Sequence, residues 1–129
     1  MIFADADFYI GLYHHLDAHH QRCISFIEKI SDDMITSLDV VDEVSTKLSY
    51  YFSKDAANKF LNRIEKDKVH VVYPDNKLFL QAKDIFQNQS SKKVSFTDCM
   101  NMAIARSLDI TTFLSFDQIY EKNGFTLFN

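Results

Sequence analysis

The first ten residues contain the unit from which the fold is built: Met1-Ile2-Phe3-Ala4-Asp5-Ala6-Asp7-Phe8-Tyr9-Ile10. The apolar run before Asp5 is short and predicts a buried strand that ends at that acid. Asp7 is suited to cap the helix that follows, because a short polar acceptor satisfies the free amides of a first turn. A buried strand therefore passes directly into a helix, with acidic residues at the junction.

Acidic residues recur at three later junctions of the same kind. The predicted strand 34–37 leads into an apolar helix that contains Glu43. Asp98 opens another predicted helix, and Asp117 ends the predicted strand 111–116. The other predicted elements are helices over residues 19–30, 54–66 and 75–86 and strands over residues 69–73 and 125–128.

Short strands that alternate with one or two helices predict an α/β fold of three layers, α/β/α. Its centre is a parallel sheet of four to five short strands, with helices on both faces. The chain has no repeat or linker, and its 129 residues suit a single domain over residues 1–129. Ligands of such sheets bind beyond the carboxyl ends of the strands. Asp5, Asp98 and Asp117 are therefore expected at one edge, with Glu43 about one helical turn beyond it.

The composition narrows the class of protein. With 47% hydrophobic residues, 12 Phe, 2 Gly and 1 Pro, the chain favours a well-filled core and long helices over an all-β sandwich. No apolar run approaches the roughly 20 residues that span a bilayer, and no signal peptide is visible. A cytoplasmic location without membrane contact is expected. Cys23 and Cys99 fit no metal or redox spacing and are predicted to be reduced, buried thiols.

The net charge of -4 gives no support to nucleic-acid binding, for which a basic surface is the usual sign. Four acids gathered at one site would nevertheless account for the whole deficit. The net charge therefore decides neither for nor against a nucleic-acid substrate.

Each acid also has a structural interpretation. Asp5 and Asp117 are suited to end strands or cap helices, and Asp98 follows a serine at the spacing of a capping box. Glu43 can pair with Lys47 at the i,i+4 spacing. Its place between two valines, however, predicts a half-buried carboxylate, which is costly unless a cation or hydrogen bonds compensate it.

Taken together, four acids at one edge of a sheet indicate a binding site for a hard divalent cation. Such ions take oxygen ligands and usually bind through a few carboxylates and substrate phosphate. Repulsion between the acids would raise their proton affinity, and a metal ion relieves that repulsion.

These segments resemble, in order, the motifs of the PIN-domain family of metal-dependent ribonucleases. The matching segments are residues 3–10, Thr36-Ser37 with Val40, Val41 and Glu43, Ser95-Phe96-Thr97-Asp98 with Ala103, and Leu114-Ser115-Phe116-Asp117 with Asn123-Gly124-Phe125. The likeness spans nearly the whole chain. Asp7 departs from it, since the family more often has Ser, Thr or Asn there. The length resembles the toxins of toxin–antitoxin pairs.

The resemblance implies hydrolysis of single-stranded RNA that depends on one or two Mg²⁺ or Mn²⁺ ions. It implies as catalytic and metal-binding residues Asp5, Glu43, Asp98 and Asp117, with Asp7 as a candidate further ligand. Thr97 and Ser115 are predicted to orient ligands or phosphate. The basic residues nearest the third motif are predicted to contact the RNA backbone, with plain solvation as the alternative: Lys92, Lys93 and Arg106.

Two other functions stay open at this point. Asp5-Ala6-Asp7 resembles the start of haloacid-dehalogenase-type phosphatases, with Asp5 as nucleophile and Asp7 as acid. Phe8 and Tyr9 stand where that family has small residues and Thr. The other alternative is a PIN-like binding module without turnover.

The predicted paired helices over Asp39–Lys66 carry more aromatic side chains than one helix face buries: Tyr50, Tyr51, Phe52 and Phe60. This stretch is the predicted contact for a homodimer or for an antitoxin helix, with ordinary core packing as the alternative.

Four histidines flank the predicted junction of the first two helices: His14, His15, His19 and His20. No cysteine or acid stands at a familiar zinc spacing from them. They are expected to be exposed polar residues.

Overall fold

The computed structural model describes residues 1–129. Its five strands are β1 (Ile2–Ala4), β2 (Met34–Ser37), β3 (His70–Val72), β4 (Thr112–Leu114) and β5 (Thr126–Leu127). Its seven helices are α1 (Ala6–Tyr13), α2 (His20–Lys29), α3 (Leu38–Tyr51), α4 (Lys54–Lys66), α5 (Asn76–Gln87), α6 (Phe96–Ser107) and α7 (Ile119–Lys122). None of the helices is long and apolar enough to cross a membrane.

The five strands form one parallel sheet in the order β3-β2-β1-β4-β5. Phe3 at the centre lies opposite Ile35 on one side and Phe113 on the other. The predicted parallel sheet of four to five strands is confirmed. Strand β2 has the predicted bounds, and the other four strands are shorter than predicted. β4 has three residues, because the chain leaves the sheet before Ser115.

The helices pack in two groups, α1 with α2, α3 and α4, and α5 with α6. Right-handed crossovers place such groups on opposite faces of the sheet. The predicted three layers are therefore confirmed. The core is one cluster of 27 buried residues, within which the rings of Phe3 and Phe113 lie 5.0 Å apart.

Helix α1 begins two residues earlier than its predicted cap implied. Asp5, not Asp7, is the N-cap, and its Oδ1 accepts a bond of 2.7 Å from the amide of Ala6. Asp7 lies in the first turn, where its carboxylate accepts a bond from the amide of Phe116 instead. The prediction that Asp7 caps the helix is wrong, because strand β1 ends at Ala4 and the helix starts directly after Asp5.

The aromatic surface predicted over Asp39–Lys66 is only partly exposed. Tyr50 and Tyr51 are 81% and 79% exposed. Phe60 is fully buried against Tyr9, with ring centroids 5.1 Å apart. Phe52 is covered by the ring of His14. Core packing against α1 therefore accounts for half of the predicted surface.

Both cysteines are free and buried, as predicted. Burial raises the pKa of Cys23 to about 12 and that of Cys99 to about 11. Both thiols therefore stay protonated at neutral pH and act as small apolar groups of the core.

Candidate active site

The acids lie at the point where the strand order of the sheet reverses, between β1 and β4. Strand β1 connects through α1 and α2 to β2 on one side, whereas β4 lies on the other side of β1. Such a switch point opens a crevice at the carboxyl ends of the two strands. Asp5 follows β1 and Ser115 follows β4, and the amide of Asp5 donates to the carbonyl of Leu114 at 3.0 Å.

Asp5 is the most constrained carboxylate of this edge. It is 6% exposed, and each of its oxygens accepts two hydrogen bonds. Oδ1 accepts from the amide of Ala6 at 2.7 Å and from Nδ2 of Asn101 at 3.1 Å. Oδ2 accepts from the hydroxyl of Tyr120 at 2.9 Å and from that of Ser115 at 3.2 Å, whose one proton is shared with Asp7. These four bonds hold the carboxylate in one position.

The pKa of Asp5 is raised from 3.8 to about 8. Burial is the largest cause, and the negative charges of Asp7 and Asp98 add to it. Hydrogen bonds from Ala6 and Tyr120 act in the opposite direction. Asp5 therefore holds a proton at neutral pH unless a positive charge takes its place.

Asp7 leaves one carboxylate oxygen without a partner. Its Oδ2 accepts from the amide of Phe116 at 2.8 Å and from the hydroxyl of Ser115 at 3.1 Å. Its Oδ1 is buried and has no hydrogen bond. Burial raises the pKa of Asp7, and the charge of Asp117 contributes. A buried oxygen without a partner is costly, so the site gains from a proton or a cation there.

Asp98 caps helix α6 and also approaches the hydroxyl of Tyr120, which bonds to Asp5. Its amide donates to Oγ of Ser95, and its Oδ2 in turn accepts from the amide of Ser95, both at 3.0 Å. Its Oδ1 lies 3.4 Å from the hydroxyl of Tyr120, beside Asp5. Burial raises the pKa of Asp98, and the charge of Asp117, itself exposed, adds to it. A capping role does not remove Asp98 from the acid cluster.

The acid cluster thus consists of Asp5, Asp7, Asp98 and Asp117. Repulsion between carboxylates does raise proton affinity here, as expected, but burial contributes more at Asp5, Asp7 and Asp98.

Glu43 is paired with a lysine and makes no hydrogen bond with the acid cluster. Its half-exposed side chain is 3.6 Å from Nζ of Lys47, the i,i+4 pair that its sequence position allowed. No three or more His, Cys, Asp or Glu side chains are grouped closely enough to hold one metal ion. A common ion would therefore require the carboxylates to move closer together.

The chemistry of the acid cluster nevertheless fits a hard divalent cation. Its donors are carboxylate oxygens, the ligands that Mg²⁺ and Mn²⁺ prefer. One of these oxygens, Oδ1 of Asp7, is buried without a partner. Burial also makes the charged form of Asp5 costly. Positive charge would relieve both costs.

Two residues that sequence reasoning missed organise the acid cluster. Asn101 is fully buried and donates to both Asp5 and Tyr120, while its own oxygen accepts from Ser37 at 3.2 Å. Tyr120 is buried against Phe113, with ring centroids 4.0 Å apart, and directs its hydroxyl at Asp5. An amide between two methionines on α6 was the available signal, since buried amides need partners.

Among the predicted helper residues, only Ser115 bonds to the acids. Thr97 is half-buried and makes no hydrogen bond with them. Lys93 lines a groove of about 470 Å³ together with Phe116, Asp117 and Lys122, and Lys122 was not predicted.

The other two predicted basic residues lie outside that groove. Lys92 is exposed in the preceding loop. Arg106 lies at the opposite end of α6 from Asp98, where it donates to the carbonyl of Asn123 at 3.2 Å. The structure does not bring either residue to the acid cluster.

A larger cavity, of about 640 Å³, lies at the amino ends of β2 and β3, opposite the carboxyl ends that the acids follow. Met34 at the start of β2 and Val69 before β3 line it, together with Tyr9, Tyr13 and Arg63. It contains no member of the acid cluster. The acid cluster is the better candidate for catalysis, because it combines raised pKa values with an unpartnered carboxylate oxygen.

Comparison with known proteins gives a consistent result. The family model described as PIN domain matches residues 2–125. VapC20 of Mycobacterium tuberculosis, described as a Sarcin-Ricin loop cleaving toxin, matches with a TM-score of 0.91 at 24% identity, covering 98% of this chain and 97% of that one. None of the curated proteins compared with the chain matched it.

Two more distant structures share the fold. FitAcB from Neisseria gonorrhoeae matches with a TM-score of 0.67 at 16% identity, covering 100% of this chain and 97% of that one. FitAB bound to an IR36 DNA fragment matches with a TM-score of 0.69 at 15% identity, covering 100% and 94%. Because the family model spans nearly all 129 residues, the chain belongs to the PIN-domain family, and this membership supports a nuclease, a hydrolase that acts on nucleic acid.

Proposed function

We propose that this protein is an endoribonuclease that hydrolyses phosphodiester bonds in single-stranded RNA with the help of Mg²⁺ or Mn²⁺. The observation that carries the proposal is the acid cluster at the switch point of a PIN fold, where burial and mutual repulsion raise the pKa values of Asp5, Asp7 and Asp98. Carboxylates in this state favour a divalent cation over three added protons.

The proposed ligands of one or two ions are Asp5, Glu43, Asp98 and Asp117, with Asp7 as a further one. A bound ion would polarise the phosphate and lower the pKa of an attacking water. Glu43 can join only if its side chain leaves Lys47, since the two are now paired at 3.6 Å.

Three side chains of the protein orient the carboxylate of Asp5. Asn101, Tyr120 and Ser115 hold the carboxylate of Asp5 in one position through their hydrogen bonds. Such partners of metal ligands typically affect activity about 10- to 100-fold. Thr97 stays a proposed contact for phosphate.

Lys93 and Lys122 are the proposed contacts for the RNA backbone. Both line the groove that contains Asp117, so a phosphate chain in that groove would pass beside the acid cluster. With a net charge of -4, the protein depends on such local cations to hold RNA. Lys92, in the same loop as Lys93, stays a prediction, and Arg106 is not part of this surface.

The phosphatase alternative requires Asp5 to attack phosphorus as a free carboxylate. Phe8 and Tyr9 stand where that family has small residues and Thr, and the family model that matches residues 2–125 is the PIN domain. A silent binding module would retain costly buried acids without use for them. Both arguments favour the nuclease.

The test is cleavage of a mixture of single-stranded RNAs by the purified chain with Mg²⁺, with Mn²⁺ and with a chelator. We expect cleavage with either ion and none with the chelator. Asp5→Asn and Asp98→Asn should abolish it, whereas the control Asp55→Asn, which removes only an exposed pair with Lys59, should not. Cleavage that persists with the chelator or in Asp98→Asn would overturn the proposed mechanism.

We further propose that the protein is the toxin of a toxin–antitoxin pair, since VapC20, its match at a TM-score of 0.91, is described as a toxin. The antitoxin is the proposed protein partner. A homodimer is also proposed, through the exposed Tyr50 and Tyr51 near the end of α3. Light scattering of the double variant Tyr50→Ser, Tyr51→Ser tests this contact. A wild-type protein that is monomeric at high concentration would exclude the dimer.

A further inference from the structure

Three side chains stack on one another beside the acid cluster. The ring of His19 stacks on that of Phe116, with centroids 3.9 Å apart and planes 8° apart. The guanidinium carbon of Arg22 lies 5.0 Å from the centroid of Phe116. We name His19, Arg22 and Phe116 the aromatic shelf. The four histidines at this junction were expected to be exposed polar residues. That expectation is wrong for His14, His19 and His20, which are half-buried.

The aromatic shelf is joined to the acid cluster by the backbone. The amide of Phe116 donates to Oδ2 of Asp7 at 2.8 Å, and Asp117 is the next residue. On the other side, Oδ1 of Asp17 accepts from the amide of His19 at 2.9 Å and fixes the start of α2. A planar ligand on the shelf would therefore lie next to the acids.

The aromatic shelf has a buried support and an open side. Phe26 is 5% exposed and stacks beneath Phe116, with centroids 5.9 Å apart and planes 20° apart. His19 and Phe116 are half-buried, and Arg22 is exposed. Phe116 also lines the groove of Lys93, so the shelf and the groove are continuous.

We propose that the aromatic shelf binds an unpaired nucleobase of the RNA strand, next to the bond that is cut. This inference rests on the proposed ribonuclease function and adds a site for a base to it. Every base has a π-face that stacks on aromatic rings, and unpaired RNA is commonly recognised in this way. Arg22 supplies the positive charge that an adjacent phosphate requires, on a chain whose net charge is -4.

A second histidine–phenylalanine stack provides a matched control. The ring of His14 lies 4.1 Å from that of Phe52, with planes 21° apart. His14 and Phe52 are the C-caps of α1 and α3, at the helix ends away from the acid edge. The two stacks share their chemistry and differ in distance from the acids.

The experiment measures binding of two fluorescein-labelled strands of ten nucleotides by anisotropy, with Ca²⁺ in place of Mg²⁺. One strand is oligoadenylate, and the other has the same ribose-phosphate backbone without bases. His19→Ala should weaken binding of oligoadenylate by about 5- to 100-fold and leave the abasic strand unchanged. His19→Phe, which retains a ring, should bind as the wild type does, and so should His14→Ala.

Arg22→Gln separates the charge from the stacking. For single strands, the logarithm of the binding constant falls with that of salt with a slope of about -0.7 for each neutralised phosphate. Arg22→Gln should lower the magnitude of this slope by about 0.7, and His19→Ala should leave the slope unchanged.

The results distinguish this inference from the function on which it rests. If wild-type protein cleaves RNA but His19→Ala binds oligoadenylate unchanged, the aromatic shelf binds no base and the nuclease stands. An equal loss on both strands in His19→Ala would show that the ring serves only to pack Phe116, and would overturn the inference. Wild-type protein that neither cleaves nor binds RNA would overturn both.

Discussion

The side chain of Asn101 donates a hydrogen bond of 3.1 Å to Oδ1 of Asp5, across 96 positions of the chain. Its own oxygen accepts from Ser37 at 3.2 Å, at the junction of β2 and α3. One fully buried amide thus connects α6 to the ends of the two strands β1 and β2. The position of the central carboxylate depends on it.

Replacement of this amide by an apolar group of similar size should reduce both activity and stability. In Asn101→Leu, Asp5 loses one of four donors and Ser37 loses its acceptor. We expect RNA cleavage to fall about 10- to 100-fold and the free energy of unfolding to fall by about 1–3 kcal/mol. Initial rates and urea denaturation measure the two effects. Asn62→Leu, on the exposed side of α4, is the control, and unchanged cleavage in Asn101→Leu would contradict the role of the amide.

Removal of the Tyr120 hydroxyl should move the pH dependence of cleavage upward. Its hydrogen bond lowers the pKa of Asp5, so Tyr120→Phe should raise that pKa while the ring stays stacked on Phe113. The pH of half-maximal cleavage should rise with it. Tyr50→Phe, at an exposed position, should leave the profile unchanged. A downward shift in Tyr120→Phe would be inconsistent with this assignment.

Removal of the charge of Asp7 should shift the pKa of Asp5 in the opposite direction. That charge raises the pKa of Asp5, so Asp7→Asn should lower it. Carbon-13 resonances of the carboxyl groups in the metal-free protein report the midpoint directly. Asp42→Asn, on the exposed side of α3, is the control. If the Asp5 midpoint does not move in Asp7→Asn, the two carboxylates do not interact as their positions indicate.

The metal-free protein should lose stability as the pH rises from about 4 to about 8. The ordinary pKa of an aspartate is 3.8, and that of Asp5 in the folded protein is about 8. Between these two pH values the folded state therefore holds more protons than the unfolded state. The free energy of unfolding must then fall with rising pH. The raised pKa values of Asp7 and Asp98 contribute with the same sign.

Urea denaturation with a chelator at pH 5 and pH 8 measures this loss. Asp5→Asn should make it smaller, and Mg²⁺ should restore stability at pH 8 because its charge replaces the missing proton. A wild-type protein that gains stability between pH 5 and pH 8 without metal would show that Asp5 is not protonated there.

Glu43 and its lysine partner should respond differently to substitution. If Glu43 leaves Lys47 to bind metal, Glu43→Gln should lower cleavage about tenfold or more. Lys47→Gln removes only a half-exposed pair worth about 0–1 kcal/mol and frees the carboxylate, so cleavage should be retained. Mg²⁺ titrations of the rate separate the two variants. Equal, unchanged rates in both would exclude Glu43 from the site.

The elements and three of the acid positions were predictable because they depend on local patterns. Apolar runs of strand length, caps such as Ser95, and helical spacing all act within a few residues. In a parallel sheet, strand order alone then places Asp5 and Asp117 at the same edge. Element boundaries were less predictable, since β4 ends where Ser115 turns towards the acids.

The partners of the acids were predictable only in part. Ser115, which reaches Asp7 across 108 positions, was expected beside the acids from the resemblance of its segment. Nothing in the local sequence around Tyr120 indicates that it reaches Asp5 across 115 positions. The same holds for His19 and Phe116, whose stacking depends on how α2 packs against the end of β4.

The sequence by itself determined the alternation of strands and helices, the parallel sheet and the edge at which the acids lie, because these follow from local hydrophobic periodicity and chain connectivity. Only the tertiary structure decided which acids meet. It brings Asp7 into the cluster and leaves Glu43 on Lys47, and it surrounds Asp5 with Asn101 and Tyr120. Burial and hydrogen bonding arise between segments distant in sequence, and they set the charge state of the site.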